Sequence, residues 1–260
     1  MTALIKAQLR ERRRSLLSWG LPIGVWSAFV VAIYPSVEAA LIKAVRSYPA
    51  ALKEAFGVGE LSTVEQYLHA EMLSLIVPLA VGYLAVRSVA SGLSGAAESG
   101  RLDVLLSAPV SRRHVVAACF CAAAIELAAI LAISLILTLL GSLLSGANLS
   151  FSPALAGFAS VWPLALLSAG LGIVATGFSL RTSVLTGSVA GVLVGMYVLD
   201  LVGRLDPSLD GIRYASVFRY YGKAIENGID PLSFLGVTVA AVALAAAGAA
   251  LFERRDLFPG

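Results

Sequence analysis

The chain has 260 residues, of which 58% are hydrophobic and 13% charged, and its formal net charge is +3. Soluble domains carry about 25% charged residues, so a fold this apolar cannot clothe its surface against water, and lipid must cover much of it. The basic residues gather at the ends of apolar segments, without zinc-finger spacing or runs interleaved with aromatics. That argues against nucleic-acid binding and makes the charges topology signals.

Lys6, Arg10, Arg12, Arg13 and Arg14 precede the first apolar stretch. That stretch is too long for a signal peptide and lacks a clear small-residue cleavage site, so it reads as a span. Ile5, Leu9 and Leu16 lie along one face with basic residues on the other. This pattern fits an amphipathic N-terminal helix on the inner leaflet, with a plain basic tail as the alternative.

A membrane helix needs about 20 mostly apolar residues. Six segments qualify, at about 16–35, 67–89, 115–144, 154–178, 184–201 and 232–252. The expected fold class is therefore an all-α integral membrane protein in a single domain, 1–260. Placing the N-terminus inside puts twelve Lys and Arg residues on the inner face and seven on the outer. By the positive-inside rule both termini are then cytoplasmic.

The outer segments are long, at about 36–66 and 203–231. In the first, Val37, Leu41, Val45, Tyr48, Leu52 and Phe56 step by three or four, as an amphipathic helix does, with a kink expected at Pro49. In the second, Tyr214, Phe218, Tyr220 and Tyr221 favour the membrane interface, so the segment is expected to dip toward the bilayer.

Within the spans, Cys119 and Cys121 have no His or acid beside them and read as small apolar filler, not as a metal site. Glu126 lies twelve residues beyond His114, about 18 Å into the third span. An acid at that depth is a functional-site candidate, lining the transport path or pairing between helices. No basic residue stands at comparable depth in another span. His69, Glu71 and Asp200 read as solvated span ends, and Arg87 as a side chain reaching for lipid phosphate. Gly187, Gly191 and Gly195 bare one face of the fifth span for close helix approach, within the chain or between subunits. Ala241, Ala245 and Ala249 do the same in the sixth.

The inner loop at about 91–113 carries the most informative stretch. Leu102, Leu105 and Leu106 form the apolar edge of a short helix that Pro109 stops, a form suited to docking in a groove on a cytoplasmic partner. In order, Glu98, Gly100, Leu105, Leu106, Ala108, Pro109, Ser111 and Arg112 resemble the recurring loop pattern of ABC-2 type transporter permeases. Ser216-Val217-Phe218 is similar to that family's Ser-Pro-Phe segment, with valine in place of proline, and the ending Phe252-Glu253-Arg254-Arg255 is similar to its cytoplasmic terminus.

The resemblance implies a six-helix permease subunit whose coupling helix docks on a separate ABC-type ATPase dimer. It also implies a second permease subunit, identical or not, and export powered by ATP and Mg bound on the partner. No cofactor is expected in this chain and no catalytic residue. A P-loop is missing, since Val217 stands where the first glycine before Gly222-Lys223 would belong. The apolar lining favours a hydrophobic or amphipathic cargo such as a drug, antibiotic or lipid. The Ala-, Gly- and Leu-rich composition points to a bacterial inner membrane. The alternative reading is a proton-coupled secondary transporter that uses Glu126.

Overall fold

The computed structural model describes residues 2–47, 62–98, 111–179 and 181–253. In chain order the helices are α1 (Thr2–Glu11), α2 (Arg13–Arg46), α3 (Val64–Leu68), a π-helical turn (His69–Leu73), α4 (Ile76–Glu98), α5 (Arg112–Ser145), α6 (Phe151–Thr176) and α7 (Thr182–Leu205). A 3₁₀ segment (Pro207–Ala215), α8 (Val217–Tyr221), α9 (Ala224–Asn227) and α10 (Pro231–Glu253) follow. Among the described residues there is no strand. Six helices, α2, α4, α5, α6, α7 and α10, are long and apolar enough to cross a membrane. The chain is an all-α, multi-pass membrane protein.

The sequence sets the helix ends locally. The Ser111 hydroxyl accepts from the His114 N–H and opens α5. Gly146, at φ 73°, closes it in the left-handed region. Pro231 occupies the first position of α10, where its missing N–H costs nothing, and the Asp230 carboxylate before it accepts from the N–H groups of Leu232 and Ser233. Buried hydroxyls return to their own helix: Ser134 donates to Ile130 O at 2.9 Å and Thr138 to Ser134 O at 2.7 Å. In hydrocarbon such groups must find partners within the protein.

Two features depart from the sequence expectation. First, α2 continues to Arg46 through both Pro22 and Pro35, so Val37, Leu41 and Val45 belong to the first spanning helix and not to a separate outer helix. The rest of that stretch, including Pro49, lies outside the described residues. Second, the helix leading to the second span breaks at His69–Leu73, where the Ser74 N–H bonds to His69 O at 2.8 Å, a five-residue step. Pro78 follows in the first turn of α4, where its lack of an N–H is accommodated by that break.

The fourth span, α6, is the axis of the bundle, packed against α4, α5, α7 and α10. In its most apolar stretch 72% of residues are buried, against 22% for α7 and 17% for α10, which are therefore peripheral. Close approaches depend on small residues. A Cβ on Gly141 would lie 2.8 Å from Ala28 O, so α5 meets α2 backbone to backbone. A Cβ on Gly170 would lie 2.7 Å from Ala241 O, which sets α6 against the Ala241–Ala245 face of α10.

Candidate functional site

At the end of the bundle that carries α1, five side chains from three helices and the turn after α1 converge. Arg12 sits in the single-residue turn between α1 and α2 and points inward, 7% exposed. Its Nη1 donates to Glu126 Oε2 at 3.2 Å and also to the Ser88 hydroxyl. Its Nη2 donates to Gln8 Oε1 at 3.0 Å, Ser88 O at 2.9 Å and Cys119 Sγ at 3.4 Å. Ser88 Oγ donates in turn to Glu126 Oε2 at 2.6 Å. Glu126 itself is 1% exposed.

This arrangement revises the reading of Glu126. The acid has a basic partner after all, one that stands before the first span and not within a span. The reason is helix length. At 34 residues α5 extends about 51 Å, well beyond a hydrocarbon core of about 30 Å, so depth counted from its first residue overstates immersion. Residues 2–12 lie against the protruding part of α5, with Ile5 and Leu9 half-buried and Lys6 and Arg10 exposed. Gly92 leaves the necessary room: a Cβ there would stand 2.6 Å from Cys119 Sγ and 3.0 Å from Arg12 Nη2. Cys119 is buried and Cys121 half-buried, both free, and among the described residues no cluster of His, Cys, Asp or Glu could hold a metal.

The cluster ties α1 to α4 and α5, the helices that flank the 99–110 loop. Closer to the loop, Arg113 at the start of α5 pairs with Glu253 at the end of α10 (Nη2 to Oε2, 2.6 Å), and Arg112 Nη1 donates to Glu253 O at 3.5 Å. The loop residues Gly100, Leu102, Leu105, Leu106 and Pro109 lie outside the described residues, and Glu98 is described only as the last residue of α4.

The opposite end holds a second charged network. Asp200, 2% exposed, accepts from Arg213 Nε at 3.0 Å and from Arg204. Asp210 accepts from Arg213 at 2.7 Å and Arg219 at 3.1 Å, and the Arg219 guanidinium lies 4.0 Å from the centre of the Tyr214 ring. The hydrogen bond from Arg213, and then the nearby charge of Arg219, hold the Asp210 carboxyl below the ordinary Asp range. Asp200 and His69 are thus buried, contrary to the expectation of solvated span ends, while Glu71 is exposed.

The segment 207–227 packs onto the bundle through Ser216, Phe218 and Ile225, while Tyr214 and Tyr220 stay exposed. Ser216 Oγ donates to Met196 O at 2.6 Å, Phe218 meets Tyr197 edge to face, and Ile225 packs where a Cβ on Gly157 would stand 3.0 Å away. A cavity of about 490 Å³ lies beneath, lined by His69, Glu71, Tyr197, Asp200, Arg204 and Tyr221 among others.

The glycine face of α7 behaves differently from the other small-residue faces. A Cβ on Gly187, Gly191 or Gly195 would meet nothing within 4 Å, so no described part of the chain packs there.

Among known protein families the chain matches a permease family over nearly its whole length. The family described as "Multidrug efflux system permease Rv1217c, C-terminal domain" aligns with residues 5–253. No curated protein matches the chain.

Proposed function

Because the chain belongs to that family of ABC-2 type permeases, we propose that it is the membrane-spanning subunit of an ATP-driven exporter. In this reading it moves hydrophobic or amphipathic compounds outward across a bacterial inner membrane, and a separate ATPase dimer supplies the energy. The family's character as multidrug efflux permeases supports the cargo class. Both termini and the 99–110 loop face the cytoplasm.

The observation that carries the mechanism is the Arg12–Ser88–Glu126 cluster together with the separate Arg113–Glu253 pair at the start of α5. Both helices that flank the loop are cross-tied, α5 to α10 at its first turn through Arg113, and α4 to α5 deeper in the bundle through Ser88 and Glu126. A push on a coupling helix formed by Leu102, Leu105 and Leu106 would therefore be shared by α1, α4, α5 and α10 instead of being absorbed by one flexible stalk. Glu98, Gly100, Pro109 and Arg112 are the positions of the family's loop pattern at the two ends of this stretch of sequence.

The second permease subunit meets this one along α7, where Gly187, Gly191 and Gly195 present bare backbone. A cargo path between two such subunits requires no catalytic group in this chain. ATP and Mg belong to the partner.

The test is reconstitution. Vesicles holding the chain with its ATPase are expected to move an amphipathic dye only with hydrolysable ATP. Transport driven by a proton gradient without the ATPase would overturn the reading.

A further inference from the structure

A second cavity, of about 410 Å³, opens beside the Arg12 cluster, between the start of α2 and the end of α4. Three guanidinium groups border it, Arg12, Arg14 and Arg87, against two carboxylates, Glu11 and Glu126. Arg12 is buried and committed to Glu126 and Ser88. Arg14 and Arg87 are exposed, and they make no hydrogen bond or ion pair among the described residues. The remaining wall is rich in hydroxyls, with Ser15, Ser18 and Ser91, and is backed by Trp19, whose ring contacts Tyr83 at 6.1 Å. Two uncommitted guanidiniums over serine hydroxyls are the donors that a phosphate ester takes.

What lies next to the cavity narrows the source of that phosphate. On α2, Arg14 is followed at steps of three and four by Leu17, Leu21 and Val25, which are 58%, 43% and 57% exposed. These residues continue the Arg14 side of the helix as an uncovered apolar track running into the membrane. The cavity is at the level where the apolar stretch of α2 begins, as a headgroup site must be.

We propose that this cavity binds the phosphate of an anionic phospholipid. Arg14 and Arg87 grip the phosphate, the serine hydroxyls donate to its oxygens, and one acyl chain lies along Leu17, Leu21 and Val25. The lipid then wedges α1 and α2 against α4, beside the cross-tie at Ser88. This inference needs only a membrane-embedded chain and does not depend on the ATPase assignment.

The test is native mass spectrometry of the complex purified in mild detergent and exchanged into phosphatidylglycerol or phosphatidylcholine. Wild type is expected to retain phosphatidylglycerol in preference to phosphatidylcholine. The exposed double variant R14Q/R87Q should lose about tenfold or more of that retention. R14K/R87K, which keeps the charges, should lose less, and R181Q, a basic residue at the start of α7, none. Excess glycerol 3-phosphate should leave the bound lipid in place. Equal retention of both lipids, an equal loss in R181Q, unchanged retention in R14Q/R87Q, or displacement by glycerol 3-phosphate would each overturn the proposal. The last outcome would mark a site for a soluble phosphate ester.

Discussion

The Arg12 guanidinium lies 3.2 Å from the Glu126 carboxylate, both buried, although 114 positions separate them in the chain. One stands in the turn between α1 and α2 and the other inside α5. Ser88 of α4 bridges them. Burying two charges is costly unless they pair and their remaining hydrogen-bonding capacity is filled. Here Gln8, Ser88 and Cys119 fill it. Leaving either charge alone is therefore the damaging change. Arg12→Met or Glu126→Gln should each cost about 3–5 kcal/mol, whereas Arg12→Met with Glu126→Leu should recover most of the loss. Thermal unfolding of the detergent-purified protein measures this. Equal damage in the double variant would show that the pair acts through something other than mutual neutralisation.

Gly92 gives the cluster its space. Gly92→Ala would press a methyl group against Cys119 Sγ and the Arg12 guanidinium, at an expected cost of about 1–3 kcal/mol. Removing the sulfur should relieve it, so Gly92→Ala with Cys119→Ala should be more stable than Gly92→Ala alone. A strictly additive pair of losses would contradict the packing account.

The glycines divide into two classes with opposite expected behaviour. Gly141→Leu should disrupt the fold, because the Cβ already meets the Ala28 backbone. Gly191→Leu faces open space within the chain and should leave the monomer folded. With the second permease subunit seated on α7, Gly191→Leu should reduce the dimer fraction. Chemical cross-linking in native membranes reads both effects. A fully dimeric Gly191→Leu would place the subunit contact elsewhere.

The far-end network has a defined pH dependence. Asp210 has its carboxyl lowered from 3.8 by the hydrogen bond from Arg213 and by the charge of Arg219. A lowered folded value means that its contribution is complete above 3.8 and fades as pH falls through the folded value. Protease resistance of the 207–227 segment should therefore be level from neutral pH down to about 5 and decline only in stronger acid. Asp210→Asn should reproduce the loosened segment at neutral pH. If the segment loosened near pH 6, a group other than Asp210 would control it.

The six spans were legible because length and hydropathy decide them, and the lipid-facing composition leaves little competition. Of the rings Tyr214, Phe218, Tyr220 and Tyr221, Phe218 is buried while Tyr214 and Tyr220 are exposed, so ring content alone did not show which of them packs on the bundle. What escaped was tertiary. Arg12 looks like one of five basic residues in a topology signal, and nothing in the local sequence distinguishes the one that turns inward. Asp200 has the composition of a solvated helix end, and its burial depends on Arg213, thirteen positions later. The fourfold glycine spacing on α7 suggested close packing, yet within this chain the close backbone approaches fall elsewhere, as at Gly141, Gly170 and Gly248, which meet Ala28, Ala241 and Val174. Spacing reveals a bare face, but the helix that covers it is set by topology.

In the proposed function the 99–110 loop couples this chain to an ATPase. The direct measurement is affinity purification of the tagged chain and of Leu105→Asp/Leu106→Asp from native membranes, with ATP hydrolysis assayed on each preparation. An ABC-type ATPase should accompany the wild-type chain in roughly equal amount and be absent from the variant, which should still insert in the membrane. An ATPase retained by the variant, or a wild-type chain that purifies alone, would contradict the account.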